Sequence, residues 1–137
     1  MAVAARLPRR RLETILAQLA PEVEIHAVRG PETGLVMVRG RIGGGGSPFN
    51  LGEATVSRAT VRLSTGEIGH GQLLGTDRQH ARLAAILDAL FQRGDHQAAI
   101  EAFIAEGERD LAEADRRQAE ETAATRVDFF TMVRGDD

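Results

Sequence analysis

Cysteine is absent from this sequence. A disulfide framework, a thiolate zinc site, an iron–sulfur cluster held by this chain and cysteine nucleophilic catalysis are therefore excluded. Lysine is absent too, so all 17 basic residues are arginine. A lysine-free chain forms no Schiff base and carries no P-loop lysine. Coding bias in a GC-rich genome is the plain reading of that absence. Arginine forks for carboxylate or phosphate partners could add to it at a few positions. Tryptophan and tyrosine are missing, and five phenylalanines are the only aromatic residues. No apolar run approaches the roughly 20 residues of a membrane span. The N-terminal arginines are not followed by an apolar stretch, which argues against a cleaved signal peptide. A cytoplasmic protein with no membrane partner is expected.

The 137 residues make one domain's worth of chain, 42% hydrophobic and 27% charged, an ordinary globular composition. The net charge of −3 argues against a general affinity for nucleic acid. The charge is uneven. Residues 1–68 sum to +3 and residues 69–137 to −6, and twelve of the 15 glycines fall between Gly30 and Gly75. A glycine-rich, mildly basic first half precedes an acidic helical half.

Pro8 suits the first position of a helix over 8–20, with Leu12, Ile15, Leu16 and Leu19 as its apolar stripe and Pro21 as its stop. Alternation predicts a strand over 22–29, and Gly30–Gly34 reads as a hairpin turn. Leu35 to Arg41 is apolar on both faces, which suggests a central strand. A third strand is expected over 53–63. A fourth, weakened by Gly69 and Gly71, ends at Leu74–Gly75. Thr76 and Gln79 fit a capping box for the clearest helix, with Leu83, Ile86, Leu87, Leu90 and Phe91 as its core face and Gly94 as its C-terminal cap. Further helices are expected at 96–105, ended by Gly107, and at 109–125, where Leu111 is the only large apolar residue. The tail 127–133 is apolar again. Such a tail is either a last strand on its own core or an interface with another chain. The fold class expected is α+β: a four-stranded, mainly antiparallel sheet with helices on one face and a helical C-terminal half. The whole of 1–137 reads as a single domain.

Four constellations could carry chemistry. In Arg41–Gly46, Gly43 and Gly44 would let backbone N–H groups approach an anion, with Arg41 adding a fork; the spacing is neither a P-loop nor a dinucleotide fingerprint, and a plain inter-strand loop is the alternative. Arg58 and Arg62 share a strand face by the period-2 rule, suited to phosphates, to a partner's carboxylates, or simply to solvent. Asp77 and His80 open the clearest helix and could pair as base and orienter. A lone Asp-x-x-His is weak as a metal motif, an acid at a helix start is favoured by the macrodipole, and His80 could be an ordinary buried histidine. No metal site is expected. The terminal Arg126-Val127-Asp128-Phe129-Phe130-Thr131-Met132-Val133-Arg134 completes the set as a candidate interface.

Several of these stretches resemble one family. They are Glu32–Val36, Arg41-x-Gly43-Gly44-x-Gly46, Gly52–Leu63, Leu74-Gly75-x-Asp77-x-x-His80-Ala81, Asp88–Leu90, Arg117–Glu120 and Arg126–Asp136. Together they look like the PhnG family of the bacterial carbon–phosphorus lyase, from about Glu32 to the C-terminus. The resemblance implies a subunit that assembles with PhnH, PhnI and PhnJ in a two-fold symmetric core. With PhnH, PhnI and PhnL it would be required for displacing adenine from ATP by a phosphonate. The product would be an alkylphosphonate joined to C1 of ribose 5-triphosphate. ATP is thus a substrate of the complex, and no cofactor is expected on this chain alone. The cluster-dependent radical step belongs to PhnJ, and the nucleosidase chemistry is usually placed in PhnI. The family gives PhnG no established catalytic residue, so a mainly structural contribution is expected. A scaffold without substrate contacts is the alternative. Residues 127–137 would dock on PhnI.

Overall fold

The computed structural model describes residues 2–19, 21–41 and 48–135. The elements are α1 (Ala2–Arg6), α2 (Arg9–Leu19), β1 (Ile25–Arg41), β2 (Pro48–Leu63), β3 (Ile68–Leu74), α3 (Arg78–Arg93) and α4 (Gln97–Gly135). The three strands form one antiparallel sheet in the order β1-β2-β3. The α+β class, the antiparallel pairing and the helical C-terminal half hold. The fourth strand does not.

The missing strand is explained at Gly30. The segments 22–29 and 35–41, expected to pair with each other, are one strand. Gly30-Pro31 is a cis peptide with Gly30 at φ 71, and the pairing with β2 slips between Ala27 and Arg29 and again between Arg29 and Glu32. Turn residues thus make a bulge that bends the strand without reversing it. β1 runs on to pair Arg41 with Pro48. It is an edge strand, not a central one, and β2 takes the centre.

The helices sit on one side of the sheet. α3 packs on β2 and β3, α1 against β3, and α2 and α4 close over α3 and α1. α3 is buried nearly all round. Ala81, Ala85 and Ala89 face the sheet, while Leu83, Ile86, Leu87 and Leu90 fill the core shared with Leu12, Leu63 and Ile100. Gly69 and Gly71, which read as flaws in β3, are the reason α3 can come so close. A Cβ at Gly71 would lie 2.2 Å from the Ala81 carbonyl oxygen, and one at Gly69 would lie 2.0 Å from that of Ala85.

Three expectations at helix ends change. α3 is capped by Asp77, whose carboxylate accepts the His80 backbone N–H at 3.1 Å, and not by Thr76. Gly94 closes it in the left-handed conformation (φ 93), as expected. Gly107 ends nothing: the two helices expected at 96–105 and 109–125 are one, and it continues through the tail, so the last-strand alternative for 127–133 falls. Gly107 is buried, and a Cβ there would sit 2.7 Å from Leu7 Cδ1. The glycine is kept by close approach of α1, an element the stripe-based reading missed although Ala4 and Leu7 are spaced i, i+3 and fully buried.

α4 has two halves. Ile100, Phe103 and Gly107 bury against the body, and Arg11 lies 5.9 Å over the Phe103 ring while pairing with Asp110 at 2.9 Å. Further along, Asp115 pairs with Arg6 at 3.2 Å. From Ala112 to Ala124 every residue is exposed.

A cationic sheet face as the candidate functional site

The side of the sheet away from the helices gathers several charged and polar side chains. Pairing brings His26, Arg62 and Ile68 into one row, Arg29, Thr60 and His70 into the next, and Glu32, Arg58 and Gln72 into a third. Period-2 alternation sends these side chains outward because Ala59, Val61 and Leu63 point into the core. Arg58, Thr60, His70 and Gln72, with Arg29, line a shallow cavity of about 320 Å³. Thr60 Oγ1 and His70 Nδ1 are 3.1 Å apart.

Glu32 is the acid of this face. Its Oε1 accepts from Arg29 Nε at 2.9 Å and lies 3.5 Å from Arg58 Nε. That second approach lacks hydrogen-bond geometry, and Arg58 Nε is buried with no acceptor. A charged donor left so is costly, on the order of 1–3 kcal/mol, and an oxyanion brought to this row would satisfy it. Arg62 is exposed and has no ion-pair partner among the described residues. The face therefore offers guanidinium forks to carboxylates or phosphates. Arg58 and Arg62, singled out by sequence, are brought together here. Arg29, His70 and Gln72 were missed, because only strand register places them beside Arg58.

Asp77 and His80 lie elsewhere and are held by other groups. Asp77 caps α3 and pairs with Arg9 at 3.1 Å. His80 is buried, with Nε2 2.9 Å from the Ala4 carbonyl oxygen. The acceptor fixes Nε2 as the protonated nitrogen, so His80 ties α1 to α3. The two side chains do not meet as base and orienter. The hydrogen bond from His80 N–H, assisted by the Arg9 charge, holds the Asp77 carboxyl below the usual aspartate range. A lowered pKa stabilises the fold above the ordinary aspartate pKa of about 3.9 and is lost as pH falls through the lower folded value. Asp77→Ala should cost about 1 kcal/mol near neutrality, read by urea melts. The gap from the parent should close in the acid range.

Gly43 and Gly44 lie outside the described residues, as do the side chains of Arg41, Arg126, Asp128, Phe129, Phe130, Met132 and Arg134. Among the described residues no group of three or more His, Asp or Glu could hold a metal ion, and no helix is long and apolar enough to cross a membrane.

The family profile for "Phosphonate metabolism protein PhnG" matches residues 1–135. The chain belongs to the PhnG family. A relative from Rhizobium meliloti (strain 1021), the "Alpha-D-ribose 1-methylphosphonate 5-triphosphate synthase subunit PhnG", is 75% identical over 114 residues, 83% of this chain and 73% of that protein. The PhnG match takes in the first thirty residues, where sequence alone offered no distinctive resemblance. They form α1, α2 and the start of β1.

Proposed function

We propose that this chain is the PhnG subunit of an alpha-D-ribose 1-methylphosphonate 5-triphosphate synthase in phosphonate catabolism. The observation that carries the reading is the 75% identity to a subunit of that name. The complex would act on ATP and an alkylphosphonate. A phosphonate oxygen forms the bond to C1 of the ribose, the bond from C1 to the adenine nitrogen breaks, and adenine leaves. The triphosphate stays on the ribose. PhnH, PhnI and PhnL are the other chains required, with PhnJ in a two-fold symmetric core, in the cytoplasm. This chain binds no cofactor of its own.

Its contribution is mainly structural. Supporting this, Asp77 and His80 are engaged with backbone groups of the chain itself. The exposed stretch 112–124 of α4 and the tail 127–137 dock on PhnI. A role for Arg41, Arg58 and Arg62 at the substrate triphosphate is the second reading, favoured by the unsatisfied Arg58 Nε.

One experiment separates these. The complex is assembled with and without this chain, and with Arg58→Ala, Arg62→Ala and Arg41→Ala, and scored for assembly and for adenine release from ATP plus methylphosphonate. Release is expected to need the chain. Arginine variants that assemble but do not release adenine would place these residues at the ligand. Variants that lose both together would place them at an interface. Release without the chain would end the reading.

A further inference from the structure

The two edges of the sheet are not treated alike. On β3 the first part of the outer edge is covered: Asp88 Oδ2 accepts from the His70 backbone N–H at 2.9 Å, and Gln92 Nε2 donates to the Ile68 carbonyl oxygen at 2.7 Å. Both side chains come from α3. On β1, no described group hydrogen-bonds to the outer edge between Thr33 and Met37. An open edge of this kind is a template for another strand, and folds ordinarily blunt it with charge, proline or cover.

Here the blunting devices flank a bare stretch. The bulge and Pro31 precede Glu32, and beyond them the chain reads Leu35-Val36-Met37-Val38 with no charge and no proline. Leu35 and Met37 share a face and are 63% and 51% exposed. A run apolar on both faces is the pattern of a strand covered on both faces. In the single chain it lies at an edge with Leu35 and Met37 uncovered.

We propose that β1 acquires a fourth strand from a partner subunit, paired along its outer edge over residues 33–37. The inference rests on the reading of this chain as a complex subunit. The occupant is an extended segment with apolar side chains at alternate positions, to cover Leu35 and Met37. Arg39 and Arg41 follow the run in sequence, while Arg29 before it is already paired with Glu32. Opposite charges pair favourably across strands, so the occupant carries a carboxylate at the end that meets Arg39 and Arg41. Main-chain hydrogen bonds supply the affinity and the alternate side chains the specificity, the mode known as β-strand addition.

Hydrogen exchange tests this on the full chain, alone and in the complex co-expressed with PhnH, PhnI and PhnJ. In the complex, the outward amides of residues 33–37 should slow by at least about a hundredfold. Leu35→Lys with Met37→Lys should weaken assembly by about a hundredfold or more. The isolated variant should melt like the parent, because both side chains are exposed. Unchanged exchange in an assembled complex overturns the inference. So does protection that appears in the chain alone and rises with its concentration, which assigns the edge to a second copy. Normal adenine release by a complex with an unprotected edge refutes the added strand and leaves the synthase reading standing. A chain that forms no complex with these subunits refutes both.

Discussion

Gly71→Val is expected to cost at least about 3 kcal/mol and to displace or melt α3. Overpacking a well-filled core ordinarily costs about 1–3 kcal/mol because neighbouring side chains give way. At Gly71 the neighbours are backbone. The new Cβ would meet Ala81 O at 2.2 Å and Ala85 N at 2.7 Å. Neither atom can move without the whole helix, and α3 holds much of the core. Against a typical domain stability of about 5–15 kcal/mol, the loss is a large share. Urea unfolding of the variant checks it. Gly34→Ala is the control, since its Cβ would find only Arg58 Nη2, at 3.7 Å. It should stay within about 0.5 kcal/mol of the parent.

Removing residues 127–137 should abolish assembly with PhnI while leaving the melting of the isolated chain nearly unchanged. A 39-residue helix is about 58 Å long at 1.5 Å per residue. Residues 112–124 are exposed, and Asp115 among them pairs with Arg6 at 3.2 Å. An exposed helical segment draws little stability from the core, because most helical stability in a protein comes from packing an apolar face. Co-purification of the truncated chain with its partners is the measurement. Recovery of intact complex would refute the docking role of the tail. A large fall in melting temperature would show that the tail packs on its own domain.

The sites least legible in sequence share one cause. Gly30-Pro31, Gly69, Gly71 and Gly107 all look like breakers, and each acts by what lies next to it in space. Gly30-Pro31 makes a bulge because β2 continues alongside and holds both halves of β1. Gly69 and Gly71 admit α3, and Gly107 admits Leu7. Gly94, by contrast, was legible as a cap because its role is local: a left-handed residue after a periodic apolar run. The pairing of Arg58 with Arg62 on one face was legible for the same reason, since alternation along a strand needs no partner. Arg29, His70 and Gln72 join them only through cross-strand register.

Composition by itself excluded cysteine and lysine chemistry. Periodicity along the chain determined the α+β class, the core faces of α2 and α3 and the alternation of β2. These follow from covalent order, because the side-chain periods of helix and strand are set by the backbone. Tertiary structure decided which glycines bend, cap or admit a neighbour. It decided that two strand segments are one, that β2 and not β1 is central, and that the helix begun at Gln97 outruns the body. Each of these depends on atoms far apart in sequence meeting at contact distance.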